Sequence, residues 1–176
     1  MTVGTATCPR VLLLGLGNDL LCDDAIGLRV VAEVRERIGS AANVCILDTV
    51  EMGLSLLDLA VGYDDLLIVD AVQTGLAPSG FLHEVDLSAL RTLPAVSPHF
   101  LGVGEMLALG RELGFKVPHR TRIFAIEVAD PFTMGTQFTP PVEAAIPRLV
   151  ERVIAALRED AISDPPASAQ FSGVAN

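Results

Sequence analysis

Apolar residues along the chain form two kinds of pattern, which predict strands alternating with helices. Continuous apolar runs are typical of strands buried on both faces of a parallel sheet; they span residues 10–17, 43–48, 65–72 and 120–129. Residues 79–87 alternate in part and predict a further strand, at an edge of the sheet. Apolar residues at steps of three and four predict helices; these span residues 25–38, 53–61, 97–113 and 139–159.

This alternation predicts one α/β domain built on a mostly parallel sheet of five strands. We expect the domain to span residues 10–160, after a flexible N-terminus of residues 1–9. The last segment, "AISDPPASAQFSGVAN" (residues 161–176), is rich in small residues and proline and predicts a disordered C-terminal tail. Pro147 is expected to kink the last helix or to reset its start.

Composition narrows the class of function. The net charge of −10 disfavours binding to nucleic acid or to an anionic membrane surface, since both need a basic face. No apolar run reaches the roughly 18 residues of a membrane helix, and residues 1–10 lack the pattern of a signal peptide. Three cysteines without a C-x-x-C pair indicate reduced thiols rather than a zinc site. We therefore expect a soluble, cytoplasmic protein.

The stretch "LLLGLGNDLLCDDAIGLRVV" (residues 12–31) has the strand–turn–helix form of a dinucleotide-binding site. Gly15 and Gly17 match its first two glycines, and an acid ends the next strand. The third glycine is replaced by Leu20, which we expect to crowd the helix against the strand. Asp23 and Asp24 would also face an anionic pyrophosphate, which is unfavourable. A P-loop lacks its G-K-[ST] sequence, so a nucleotide site is the weaker hypothesis.

Three polar residues suggest a metal site instead. Asp23 is expected to cap the following helix, which leaves Asp24 available. Asp70 ends the third strand, and His99 follows the fourth strand at the start of a helix, where a neutral imidazole is favoured. Carboxyl ends of parallel strands meet at one sheet edge, so these side chains should converge there. Two carboxylates and an imidazole suit nickel, zinc or manganese.

Simpler interpretations of these residues remain open. Asp70 is also explained as an acid satisfied by a nearby loop amide, and His99 as a partly exposed residue of a first helical turn. His83 and His119 are weaker candidates, in a strand and beside basic residues. No serine or cysteine has the sequence context of a nucleophile elbow.

Three segments together resemble the hydrogenase maturation endopeptidases: the opening stretch, "LLIVDAV" and "SPHFLG". The resemblance runs from about Val11 to Leu157. It implies a twisted, mostly parallel sheet flanked by helices on both faces, in a phosphorylase/hydrolase-like fold. It also implies a cytoplasmic endopeptidase, aspartic-type or metal-assisted, with Asp24, Asp70 and His99 as catalytic and metal-contacting residues.

The resemblance further implies the substrate. Members of the family remove a C-terminal extension from the large-subunit precursor of nickel–iron hydrogenase, and the metal read by the enzyme is nickel, contributed by the substrate, or another divalent transition metal. We expect no nucleotide, nucleic acid or membrane as a partner. Many members carry D-G-G-T-x-G after the second strand, where this chain has "DTVEMG". The implied substrate-recognition residues are Asn18, Asp48, Thr49 and Gly53.

Two other functions stay open on the residues alone. One is a non-catalytic module that checks or binds nickel on the same fold. The other, less favoured, is a nucleotide-binding domain of the Rossmann type.

Overall fold

Five strands form one sheet in the computed structural model, which describes residues 11–40, 43–87 and 102–162. They are β1 (Val11–Leu16), β2 (Val44–Thr49), β3 (Asp65–Val72), β4 (Leu82–Asp86) and β5 (Arg120–Glu127). Their order across the sheet is β2-β1-β3-β5-β4. The first four strands of this order run parallel, and β4 pairs with β5 in the antiparallel direction at the edge.

Within these ranges four α-helices and two short 3₁₀ helices lie between or after the strands. They are η1 (Asp23–Ala25), α1 (Ile26–Ile38), η2 (Gly53–Ser55), α2 (Leu56–Ala60), α3 (Val103–Glu112) and α4 (Pro140–Ile162). Apolar side chains fill one layer between the sheet and α1 with α4, and a second layer between the sheet and α2 with α3. The central strands are therefore buried on both faces, which explains their continuous apolar sequence.

The chain order of the strands creates a topological switch point between β1 and β3. From β1 the chain moves to β2 on one side of it and then returns to β3 on the other side. The connections that leave the carboxyl ends of β1 and β3 therefore run in opposite directions: the first leads through α1 to β2, and the second passes the end of β5 to reach β4. A crevice at such a point is where open α/β sheets bind their ligands.

The predicted fold class is confirmed: the described chain is an α/β domain with a mostly parallel five-stranded sheet. The predicted helix at residues 53–61 is split into η2 and α2, and the last helix continues through Pro147 without restarting there. Its end at Ile162 lies just past the expected domain boundary, and the disordered tail stays a prediction. No helix within the described ranges is long and apolar enough to span a membrane.

Candidate functional site

Asp24 lies in η1, directly after the loop that leaves β1. Gly17 begins this loop with a φ of +150°, and a Cβ on Gly17 would lie 2.2 Å from the carbonyl oxygen of Asp24. Only glycine allows the two backbone segments to approach so closely. The loop then turns at Asn18, whose Oδ1 accepts the N–H of Leu20 at 3.0 Å. Asn18, predicted to recognise substrate, thus has a structural role in holding this loop.

Asp70 lies near the carboxyl end of β3 and is fully buried. Residues two apart in a strand point to the same face, so the side chain of Asp70 shares a face with Ile68 and Val72. That face is the one covered by α2 and α3. Its Oδ1 accepts the N–H of Ala71 at 2.8 Å. A backbone amide next to it therefore satisfies part of this carboxylate, as the simpler interpretation of Asp70 expects.

Gly27 brings the segments that carry the two acids together. A Cβ on Gly27 would lie 2.2 Å from the carbonyl oxygen of Leu16 and 2.4 Å from that of Val69. The first turn of α1 thus rests on the ends of β1 and β3, with Asp24 three residues before the contact and Asp70 one residue after it. Both acids therefore belong to segments at the carboxyl edge near the switch point, while their convergence on one metal ion stays a prediction.

Leu20 does not act as the sequence suggested. It lies in the loop after β1 with 61% of its surface exposed, so it does not crowd α1 against a strand. The close approach of helix and strand depends instead on Gly15 and Gly27: a Cβ on Gly15 would lie 2.7 Å from the carbonyl oxygen of Gly27.

His99 lies outside the described residues. The strand before it was expected to end at the carboxyl edge, and this expectation was wrong. The fourth strand is antiparallel to β5, with Asp86 paired to Arg122, so it ends at the amino edge of the parallel strands. Helix α3, which follows the undescribed segment, starts at the other edge, and the position of His99 stays a prediction. The segment that follows α3 passes the start of β3, where the N–H of His119 donates to the carbonyl of Asp64. The helix therefore begins on the side of the carboxyl edge, at Val103.

Asp23 does not cap α1, contrary to the prediction. It is fully buried, and neither η1 nor α1 has a side-chain cap. Its carboxylate instead accepts hydrogen bonds from Ala129, Asp130 and Thr139, more than 100 residues away along the chain. Asp23 therefore links the loop after β1 to the segment that follows β5.

That segment, residues 129–139, crosses the ends of β3 and β1 and is named here the crossing segment. Its start is fixed to β3, since the side chain of Gln73 donates to the carbonyl of Ala129 at 2.9 Å. Its middle is fixed to the loop after β1, where the N–H of Cys22 donates to the carbonyl of Thr133 at 2.9 Å. The crossing segment thus forms one wall of the site next to Asp24.

Another buried acid, Glu127, holds the loop after β3. Its carboxylate accepts the N–H groups of Thr74 and Gly75, each at 2.8 Å, and the Thr74 hydroxyl at 2.6 Å. The Nε2 atom of His83 lies 2.9 Å from the same carboxylate, so His83 has a structural partner. Burial raises the pKa of Glu127, but these hydrogen bonds outweigh it and the pKa is lowered overall.

Three residues predicted to recognise substrate lie at or after the end of β2, at the same sheet edge: Asp48, Thr49 and Gly53. Asp48 pairs with β1 beside Gly15, and its carboxylate accepts a hydrogen bond from Arg35 of α1. Thr49 Oγ1 accepts the N–H of Glu51 at 3.0 Å. Gly53 has a φ of +67° and open space around it. The role of these residues in recognition stays a prediction.

Large apolar side chains are exposed around this edge. Phe132 and Met134, in the crossing segment, have 75% and 78% of their surface exposed. Leu20 stands beside them, because its carbonyl accepts the N–H of Gly135 at 3.0 Å. These three side chains are named the apolar rim. Further exposed apolar residues follow β2, namely Val50, Met52 and Leu54.

The main chain beneath the rim is ordered by local hydrogen bonds. Asp130 Oδ1 accepts the N–H groups of Phe132 and Thr133, at 3.3 and 2.9 Å. Hydrogen bonds from the Thr133 hydroxyl and from these amides lower the pKa of Asp130. The exposed side chains therefore project from a fixed backbone, which reduces the entropy lost on contact with a partner.

The described residues supply two of the three predicted metal ligands. Within them no group of three or more histidine, cysteine, aspartate or glutamate side chains is arranged to hold a metal ion. Cys22 and Cys45 are free thiols. Sequence reasoning missed Glu127 and the crossing segment. The available signal for Glu127 was an acid at the end of an otherwise apolar strand. The contacts of the crossing segment are long-range, so they leave no signal in the local sequence.

Comparison with known proteins agrees with this geometry. A family model described as hydrogenase maturation protease matches residues 28–156. The hydrogenase 2 maturation protease of Escherichia coli is 34% identical over 163 residues, which cover 91% of this chain and 98% of that one. The HupD hydrogenase expression/formation protein of Rhizobium leguminosarum is 29% identical, covering 89% of this chain and 78% of that one.

Solved structures give the same result. The hydrogenase-maturating endopeptidase HybD of Escherichia coli superposes with a TM-score of 0.75 at 33% identity, covering 86% of this chain and 93% of that chain. The solution structure of an endopeptidase from Escherichia coli gives 0.72 at 32% identity, covering 91% of this chain and 99% of the other.

Proposed function

We propose a substrate and a site for this chain, which belongs to the hydrogenase maturation protease family and is therefore a peptidase. The substrate is the large-subunit precursor of nickel–iron hydrogenase after nickel has been inserted. The reaction removes a C-terminal extension from that precursor. Asp24, Asp70 and His99 contact the nickel of the substrate, so that only a loaded precursor is processed.

The observation that carries this proposal is the contact at Gly27. It joins the end of β1, the end of β3 and the first turn of α1, which supports a site shared by Asp24 and Asp70 at this sheet edge. Carboxylate and imidazole groups with open coordination positions suit a divalent transition metal. Asp70 is buried, so its carboxylate reaches nickel only when this edge opens during docking of the precursor.

In the proposed reaction a water molecule attacks the carbonyl carbon of the scissile peptide bond. The carbon–nitrogen bond breaks, the new carboxyl group stays on the large subunit, and the leaving amine takes a proton. Two mechanisms fit the residues. In one, nickel polarises the carbonyl and lowers the pKa of the water. In the other, a carboxylate is the general base and nickel controls only access.

The exposed apolar residues support a macromolecular substrate. The apolar rim lies beside Asp24 on a fixed backbone, and exposed apolar side chains close to a crevice are typical of protein-binding surfaces. A precursor would bury Leu20, Phe132 and Met134 while its nickel enters the crevice. The thiols and the negative net charge agree with the expected cytoplasmic location, which stays a prediction.

The test is to incubate the purified protein with nickel-loaded precursor and to measure the shortened product by mass spectrometry. Replacing Asp24 or Asp70 by Asn, or His99 by Ala, should lower the rate of processing by at least about 100-fold. Asp65→Asn is the matched control, because Asp65 is a buried acid at the opposite sheet edge, paired with Arg120 at 3.1 Å.

The outcomes separate the proposed functions. A shortened product from loaded but not from nickel-free precursor supports the endopeptidase. A stable complex with intact precursor would instead support the non-catalytic nickel-checking module. Normal processing by all three variants, with circular dichroism showing that they are folded, would refute the proposed site.

A further inference from the structure

We propose that Asp23 is a positioning residue that fixes the neighbouring Asp24 for reading the metal of the precursor. The inference rests on the proposed function, in which Asp24 contacts nickel. The carboxylate of Asp23 bonds to the crossing segment, so in this proposal Asp23 does not itself contact the metal. It acts through the backbone that it shares with Asp24 and through the crossing segment.

The carboxylate of Asp23 is saturated with hydrogen-bond donors. Its Oδ1 accepts the N–H of Thr139 at 2.7 Å, and its Oδ2 accepts the Thr139 hydroxyl at 2.9 Å. The same Oδ2 lies 3.1 Å from the N–H of Asp130 and 3.3 Å from that of Ala129. All four donors are neutral groups: three backbone amides and one hydroxyl.

Only a carboxylate can accept hydrogen bonds from all four of these donors. An ionised aspartate is purely an acceptor, with about four acceptor positions on its two oxygens. An asparagine would turn an NH₂ group towards one set of these donors and leave them without an acceptor. Loss of acceptors in a buried place costs about 1–3 kcal/mol. The charge of Asp23 is thus used to join two segments that are distant in sequence.

The backbone around Asp24 is then held from two sides. On one side Gly17 lies against the carbonyl of Asp24, at a distance that admits no side chain. On the other side the N–H of Asp23 donates to the carbonyl of Asp130 at 3.1 Å, in addition to the contacts of its side chain. The orientation of the Asp24 carboxylate therefore depends on the attachment of Asp23 to the crossing segment.

Two explanations of Asp23 make different predictions. If Asp23 only stabilises the fold, its loss lowers the folded fraction and weakens binding of every form of the precursor equally. If it positions Asp24, its loss specifically weakens recognition of nickel. The ratio of affinities for loaded and nickel-free precursor separates the two, because a change in folded fraction cancels from the ratio.

The experiment uses the purified full chain in one processing assay. Nickel-loaded precursor is the substrate and gives KM, and nickel-free precursor is a competitive inhibitor and gives Ki. For the wild type we expect Ki to exceed KM. For Asp23→Asn the ratio Ki/KM should fall at least tenfold, at a temperature where circular dichroism shows the variant to be folded. Asp65→Asn, the buried acid at the opposite edge, should keep the wild-type ratio.

A second variant covers the case in which Asp23→Asn does not fold or has no measurable activity. Thr139→Val removes only the hydroxyl donor and keeps the size of the side chain, so the ratio should fall by a smaller factor, about threefold. An unchanged ratio in Asp23→Asn, or in Thr139→Val when only that variant can be measured, overturns the positioning role and leaves the proposed function intact. If the wild type does not process the loaded precursor or does not prefer it, both proposals are overturned.

Discussion

Replacing Gly27 by Ala should destabilise the protein, although alanine is normally the better helix former. A Cβ at this position would lie 2.2 Å from the carbonyl oxygen of Leu16 and 2.4 Å from that of Val69. Real Cβ atoms stay at least 3.0 Å from such atoms, so α1 must move away from the sheet by about 0.8 Å. Both obstacles are backbone atoms of buried strands, which cannot rotate aside.

The magnitude follows from two opposing effects. Overpacking of this kind costs about 1–3 kcal/mol. The gain from replacing a helical glycine by alanine is at most about 1 kcal/mol. Because both obstacles are rigid backbone atoms, the upper part of this cost, about 2–3 kcal/mol, applies, and we expect the free energy of unfolding of Gly27→Ala to fall by about 1–2 kcal/mol. The same displacement moves Asp24, and a misplacement near 1 Å lowers the rate of a reaction by about 100-fold.

Gly104 supplies the matched control. It lies in α3, and a Cβ there would meet nothing within 4 Å. Gly104→Ala should therefore raise stability slightly, by up to about 1 kcal/mol, and leave processing unchanged. Urea denaturation followed by circular dichroism measures both effects. Equal stability and normal processing in Gly27→Ala would show that α1 does not rest on β1 and β3 as described.

Two further predictions concern the apolar rim and the buried Glu127. Truncating two of the three rim side chains, Phe132→Ala with Met134→Ala, should raise KM for loaded precursor about tenfold with little change in kcat. Truncating the exposed pair Leu113 and Phe115 should change neither constant, and equal effects of the two double variants would exclude the rim as a docking surface. The lowered pKa of Glu127 means that its contribution to stability is present above its ordinary value of 4.5 and is lost as the pH falls through the folded-state pKa. Glu127→Gln should therefore be less stable at neutral pH and lose less stability than the wild type below about pH 5, and parallel unfolding curves against pH would contradict this.

Local patterns predicted most of the fold. Continuous apolar runs predicted four strand positions from short windows of sequence, and in β1 and β3 these runs correspond to burial on both faces. The direction of β4 did not follow, because it depends on pairing with β5, which comes more than 30 residues later. Because β4 is antiparallel, its end does not lie at the edge where His99 was expected.

The candidate site was predicted unevenly for the same reason. Asp24 stood out as one of two adjacent acids after a glycine-containing turn, and Asp70 as an acid within an apolar run. The expected topology then placed both acids at one sheet edge. The four donors to Asp23 come from residues 106 to 116 positions away, so its sequence neighbours suggested helix capping instead. Gly27, inside a helical pattern, also gave no local sign that it contacts two strands.

If Asp70 contacts the nickel of the precursor, as proposed, its burial favours an ion delivered by a protein partner over a free ion. A carboxylate without exposed surface binds an ion only in the fraction of molecules whose edge is open. The apparent dissociation constant for a free ion is larger than the intrinsic one by the inverse of that fraction. An ion delivered inside a protein partner avoids this penalty, because contacts elsewhere on the partner favour the open form. A closed resting state would therefore keep the protease from being occupied by stray metal before its precursor arrives.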